Sequence, residues 1–81
     1  MVRQQPSGSV VVTGAGSGIG LATVRLLLAA GRHVLAWDRD LAGLTGLDDR
    51  RLLAERLDVR DRAAMDGALA AAGGRFPPVA G

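Results

Sequence analysis

The stretch Val10-Val11-Val12-Thr13-Gly14-Ala15-Gly16-Ser17-Gly18-Ile19-Gly20 constrains this chain most. A short β-branched run reads as a buried strand, breaks into a glycine cluster and gives way at once to a helical pattern. In that strand–turn–helix order a glycine-rich loop can hold a phosphate. Helix N-termini carry unpaired N–H groups and a partial positive charge, and so attract anions. Glycine allows the tight turn and removes the Cβ that would keep a pyrophosphate at a distance. The spacing is not G-x-G-x-x-G, because the third glycine would fall on Ile19 or Leu21. The pattern that fits is T-G-x-x-x-G-x-G, on Thr13, Gly14, Gly18 and Gly20. A P-loop is excluded, since it requires a lysine and the chain has none. The competing reading is a glycine-rich turn with no ligand.

Eighty-one residues make one small domain at most. Chains of this size bury only about 60–70% of their unfolded surface, so their stability is marginal. Residues are 48% apolar, a globular composition. The absence of cysteine excludes disulfides, thiolate metal sites and cysteine nucleophiles, and suits a reducing compartment. Met1–Ser9 reads as a polar leader without the apolar core of a signal peptide, and no apolar run approaches membrane-spanning length. A cytoplasmic, soluble protein is expected. The pI near 11 misleads about partners: all ten basic residues are arginine, nothing titrates just below them, and the net charge is only +2. With Trp37 and Phe76 the only aromatic residues, a nucleic-acid partner is not expected.

Along the chain, Val10–Thr13 reads as the first strand and Gly18–Ala30 as a helix capped by Gly31. Ile19, Ala22, Leu26 and Ala30 follow helical spacing, bordered by Thr23 and Leu27, and are expected to face the core. His33–Asp38 reads as the second strand, giving a βαβ unit with a parallel pair and a right-handed crossover. The lone His33 starts that strand, away from the glycine loop, so no catalytic or metal role is expected of it. Trp37 reads as packing. Asp40–Leu47 reads as a short, poor helix weakened by Gly43 and Gly46, and Asp48–Arg51 as a charged turn. Leu52–Leu57 reads as a third strand, with a helix as the alternative. Asp61 is expected to cap a helix running to Ala72, closed by Gly73-Gly74, with 73–81 an irregular tail.

Asp38 ends the second strand, where open parallel sheets bind ligands, close to the ~20-residue offset at which a carboxylate accepts hydrogen bonds from the adenosine ribose. The other reading of Asp38 is an exposed turn acid in Asp-Arg-Asp. The set Thr13, Gly14, Gly18 and Gly20, with Asp38 beyond it, resembles the N-terminal signature of the short-chain dehydrogenase/reductase family from about Val10 to Ala72. The resemblance implies a partial Rossmann fold of the α/β class, a doubly wound parallel sheet of three strands and about three helices over residues 10–72. The loop of Gly14, Ser17, Gly18, Ile19 and Gly20 would cradle the pyrophosphate of NAD or NADP. Asp58-Val59 resembles the family's adenine clamp, in which the carboxylate accepts from the exocyclic amine and the next N–H donates to the ring. An Asp at position 38 implies NAD, because its charge repels the 2′-phosphate of NADP. Arg39 could bind that phosphate, but Ser17 stands where a basic residue would assist it. NAD is therefore the expected cofactor.

The pattern then breaks. In the family a fourth strand ends in Asn-Asn-Ala-Gly; here Val79-Ala80-Gly81 is only an echo, and Pro77 and Pro78 oppose a central strand. Family members use a tyrosine as general acid/base, a lysine four residues later, a serine and often an asparagine. This sequence has no tyrosine, lysine or asparagine, and Ser7, Ser9 and Ser17 lie in the leader and loop. No catalytic residue is assigned. The expectation is the cofactor-binding front of a dehydrogenase, truncated before strand four and incomplete as a catalyst. Alternatives are a non-catalytic nucleotide-binding module, a subunit completed by another chain, or a remnant without function. In sheet order 3-2-1-4 the missing strand would leave Val10–Thr13 as an apolar edge, so self-association is expected.

Overall fold

The computed structural model describes residues 8–74 and 76–77. The expectations for the leader before Gly8 and for Val79-Ala80-Gly81 lie outside the described residues. Six elements follow one another: β1 (Ser9–Thr13), α1 (Gly18–Ala29), β2 (His33–Asp38), a single 3₁₀ turn (Ala42–Leu44), β3 (Leu52–Arg56) and α2 (Arg62–Ala72). The strands form one sheet in the spatial order β1-β2-β3, parallel throughout. Leu52–Leu57 is thus a strand, ending one residue early. The helix expected over Asp40–Leu47 shrinks to the 3₁₀ turn, since its two glycines leave too little propensity for a longer one.

β2 is the central strand, and its Val34, Leu35, Ala36 and Trp37 are all buried. A strand covered on both faces needs such a continuous apolar run. Alternate residues feed two cores. Val34 and Ala36 join Val12, Val24, Leu28 and Leu44 under α1 and the 3₁₀ turn. Leu35 and Trp37 join Leu57, Ala68, Ala72 and Phe76 under α2. The irregular tail therefore contributes a core residue: the Phe76 ring meets His33 edge-on at 5.1 Å, and its N–H donates to the Ala72 carbonyl at 2.8 Å.

Both helix ends are closed as their residues dictate. Arg32 N–H donates to Leu27 and Gly31 N–H to Leu28, each at 2.9 Å, a pair of bonds that requires the left-handed φ of 81° at Gly31. The Asp61 carboxylate accepts from Ala64 N–H at 3.1 Å, as a helix N-cap does.

The expected core face of α1 is wrong. Val24 and Leu28 are buried, with Leu21 and Leu27 packed against them, whereas Ile19 is 87% and Leu26 72% exposed and Ala22 and Ala30 are exposed. The cause is composition. Arg25 is the only charged residue in Gly18–Ala29, so apolar residues lie on every face and spacing alone selects none.

Candidate functional site: the C-terminal edge of the sheet

The three strands end side by side, and the residues just past them line a groove of about 160 Å³: Gly14 after β1, Trp37, Asp38 and Arg39 from the end of β2, and Leu57, Asp58 and Val59 after β3. Parallel alignment puts all three ends on one edge, so residues distant in sequence converge. A larger hollow of about 650 Å³ at the opposite end of β2, among His33, Asp48, Asp49, Arg50, Arg51 and Phe76, lies away from the glycine loop.

The loop itself is built by glycine. Gly14 and Gly18 have φ of 63° and 57°, left-handed values that side chains rarely adopt. Nothing lies within 4 Å of where a Cβ would stand at either, so the space beside the loop is open. Gly20 serves differently. Its φ is not positive, but a Cβ there would run into the Gly14 carbonyl, so helix and turn can touch only through a glycine.

Ser17 is the N-cap residue of α1, in extended conformation (φ −159°, ψ 165°), yet its hydroxyl makes no capping hydrogen bond. No acidic side chain lies in the first turn either. The first N–H groups of a helix have no intrahelical acceptor, and here no side chain has claimed them. Ser17, Gly18 and Ile19 are exposed, so this end of the helix offers amide donors and positive potential to an anion.

Asp38 joins the loop to the strand. Its Oδ2 accepts from Gly16 N–H at 2.8 Å, and its Oδ1 from Asp40 N–H at 3.0 Å. Those N–H donors, Asp40's first and Gly16's next, hold the carboxyl below the usual carboxylate range, so it is ionised at neutral pH. A carboxylate has about four acceptor sites, so two remain for ligand hydroxyls. Ala15 N–H donates to the Trp37 carbonyl at 3.2 Å, a second tie between loop and strand.

Asp58 is also engaged. Arg60 Nη2 lies 2.8 Å from Oδ2 and Nε 3.1 Å from Oδ1, and Arg60 N–H donates to Oδ1 at 2.9 Å. The guanidinium and then that N–H hold Asp58 well below the ordinary carboxylate range. Adenine would have to share this carboxylate with Arg60.

Five of the nine residues singled out from sequence, Gly14, Asp38, Arg39, Asp58 and Val59, line one groove, while Ser17, Gly18, Ile19 and Gly20 form the adjoining helix start. Sequence reasoning missed Gly16, although it lies inside the glycine stretch. A Cβ there would strike the Asp40 carbonyl and stand 3.1 Å from Asp38 Oδ2. It also missed Gly43, where a Cβ would run into the carbonyl of Gly16.

Fold and edge together define an α/β protein with a glycine-rich turn and a helix start at the C-terminal ends of parallel strands, the arrangement of a dinucleotide-binding protein. A sequence model of the short chain dehydrogenase family matches residues 8–81, past Ala72 to the last residue, and the chain belongs to that family. It is similar to 3-ketoacyl-(acyl-carrier-protein) reductase from Brucella melitensis, solved with NADH, at 33% identity and TM-score 0.75 over 85% of this chain and 30% of that one. It also resembles 4-hydroxyisoleucine dehydrogenase complexed with NADH, at 25% identity and TM-score 0.71 over 82% of this chain and 28% of that one. A short-chain dehydrogenase/reductase from Burkholderia vietnamiensis matches at 31% identity and TM-score 0.64, over 83% and 32%. The chain thus spans about a third of the length of these proteins, as a partial Rossmann-type unit. Among the described residues no helix is long and apolar enough to cross a membrane.

Proposed function

We propose that this chain binds the adenosine and diphosphate half of a nicotinamide dinucleotide, preferring NAD to NADP, and is the cofactor-binding part of an oxidoreductase acting on a carbonyl or alcohol. The observation that carries the reading is the unclaimed start of α1 beside the ionised Asp38. The amides of Ser17 to Gly20 would hold the two phosphates, and Asp38 the ribose hydroxyls. Asp58 and the Val59 N–H would meet the adenine edge. Bound nicotinamide would supply the site that gives or takes hydride. The chain's own contribution is binding and orientation, since the sequence has no tyrosine, lysine or asparagine to complete the family's proton-transfer set. A cytoplasmic location accords with the cysteine-free sequence.

Asp38→Ala removes both the ribose acceptor and the tie to Gly16. Binding of ADP-ribose and NAD by titration calorimetry is expected to weaken at least about tenfold, the effect of losing one charge-assisted contact. Unchanged affinity would refute Asp38 as the ribose acceptor.

A second reading, a subunit completed by another polypeptide, is favoured by two surfaces. Among the described residues β1 pairs only with β2, leaving its other edge open. The outward face of α1 presents Ile19 and Leu26 to solvent. An open apolar edge and an apolar helix face both favour covering by protein, whether by a second copy of this chain or by a different one.

A further inference from the structure

Among the described residues the sheet has two open edges, and the one along β3 carries a charge pattern that the β1 edge lacks. β3 lies parallel to β2, with Val34 beside Leu52 and Asp38 beside Arg56. Its run Leu-Leu-Ala-Glu-Arg has no proline or glycine to blunt the edge. Val34 N–H donates to the Arg51 carbonyl at 2.7 Å and Leu57 N–H to the Asp38 carbonyl at 3.1 Å, so the backbone groups of the odd-numbered residues face β2. These groups alternate along a strand, so those of Leu52 and Ala54 point away from the sheet. Side chains alternate as well. Leu53 packs against the core under α2, and Arg51 and Glu55, two residues to either side, share that face. Glu55 makes no ion pair among the described residues, and the Arg51 guanidinium reaches only nearby Asp49, at 3.8 Å.

We propose that the β3 edge pairs antiparallel with the same edge of a second copy of this chain, centred on Leu53, so that two three-stranded sheets join into one. The edge is self-complementary in that register. Leu53 meets the partner's Leu53, Arg51 meets the partner's Glu55, and Glu55 meets the partner's Arg51. Cross-strand pairs of opposite charge stabilise such a ladder. Leu52 and Ala54 stand opposite the partner's Ala54 and the partner's Leu52, with their outward backbone groups matched for hydrogen bonding. The Ala54 N–H donates to the partner's Leu52 carbonyl, twice by symmetry. The Leu52 N–H donates at 3.0 Å to the Asp49 carbonyl, and adds its own bond only when that turn opens. Centring on Leu52 or Ala54 would instead leave Arg51 opposite a leucine, and centring on Glu55 would set Glu55 against itself. Arg50 falls opposite the partner's Arg56, a like-charged pair, but both residues are exposed and solvent screens them. The match of this edge to itself is what makes a second copy the occupant, and an interface this short makes a weak, reversible dimer.

Analytical ultracentrifugation of the whole chain tests the register by charge exchange, with circular dichroism checking the fold of each variant. Wild type is expected to show a reversible monomer–dimer equilibrium at concentrations up to about 1 mM. Arg51→Glu and Glu55→Arg should each weaken the dimer at least about tenfold, since each turns two attractions into two repulsions. The double variant should restore wild-type affinity to within about threefold. Cross-linking gives a readout that does not depend on charge. The chain has no cysteine, so Leu53→Cys supplies one thiol per copy, and the register sets the two face to face. Their Cα atoms would lie about 4.5 Å apart, within disulfide reach. Oxidation with copper–phenanthroline should trap this dimer at least about tenfold faster than Leu52→Cys, which faces the partner's Ala54. A monomeric wild type, a dimer indifferent to the charge changes, a double variant that restores nothing, or equal trapping of the two cysteine variants would overturn the pairing. β1 carries no charged residue, so association through that edge would show as the indifferent dimer.

Discussion

Gly20→Ala is expected to destabilise the fold by about 1–3 kcal/mol and to abolish measurable dinucleotide binding. Propensity alone points the other way, since alanine is favoured over glycine within a helix by about 1 kcal/mol. At Gly20 the added Cβ would meet the Gly14 carbonyl oxygen and lie 2.7 Å from its carbon and 3.2 Å from Ala15 Cα. These are backbone atoms of the loop, which cannot rotate away as a flexible side chain could. Relief comes only by prising the loop off the helix, which moves the amides proposed to hold the diphosphate. Gly67, in α2 with nothing within 4 Å of its Cβ position, is the control. Gly67→Ala should stabilise by up to about 1 kcal/mol. Urea unfolding of both variants reads the two signs. If Gly20→Ala were as stable as Gly67→Ala, the close packing of turn on helix would be refuted.

Gly43→Ala is expected to act at a distance in sequence but directly in space. A Cβ at Gly43 would run into the Gly16 carbonyl oxygen and stand 2.8 Å from its carbon. Gly16 is also the residue whose N–H reaches Asp38. Pushing it away stretches that bond and loosens the floor of the site. A loss of about 1–3 kcal/mol in unfolding free energy is expected, with weaker ADP-ribose binding in variant protein that remains folded. Urea denaturation and calorimetry measure the two effects. Wild-type stability would show that the 3₁₀ turn yields without cost.

What could be read from sequence depended on the range of the interaction. The strand–turn–helix at Val10–Gly20, the apolar β2 and the Asp61 cap are local patterns, and each appears in the fold. The place of Asp38 at the end of β2, beside the loop, is legible because its distance from the loop follows from one strand, one helix and one strand. The α1 core face was not legible, because Leu26 and Leu28 are equally apolar and only the position of the sheet decides between them. Gly43 looked like a flaw in a helix; its reason is a contact with a loop well upstream in sequence. Arg56 beside Asp38 is a matter of register between β2 and β3, which no short window contains. Phe76 reads as part of an irregular tail, yet its ring fills the core under α2.

The central claim is that backbone amides opening α1 seat a dinucleotide's diphosphate. Amide-resolved NMR of the ¹⁵N-labelled chain during titration with ADP-ribose tests it most directly. The account predicts that the N–H resonances of Ser17, Gly18, Ile19 and Gly20 move together and saturate at one affinity, with Gly16 and Asp40 responding through Asp38. Saturable binding that leaves those four amides unmoved would contradict it.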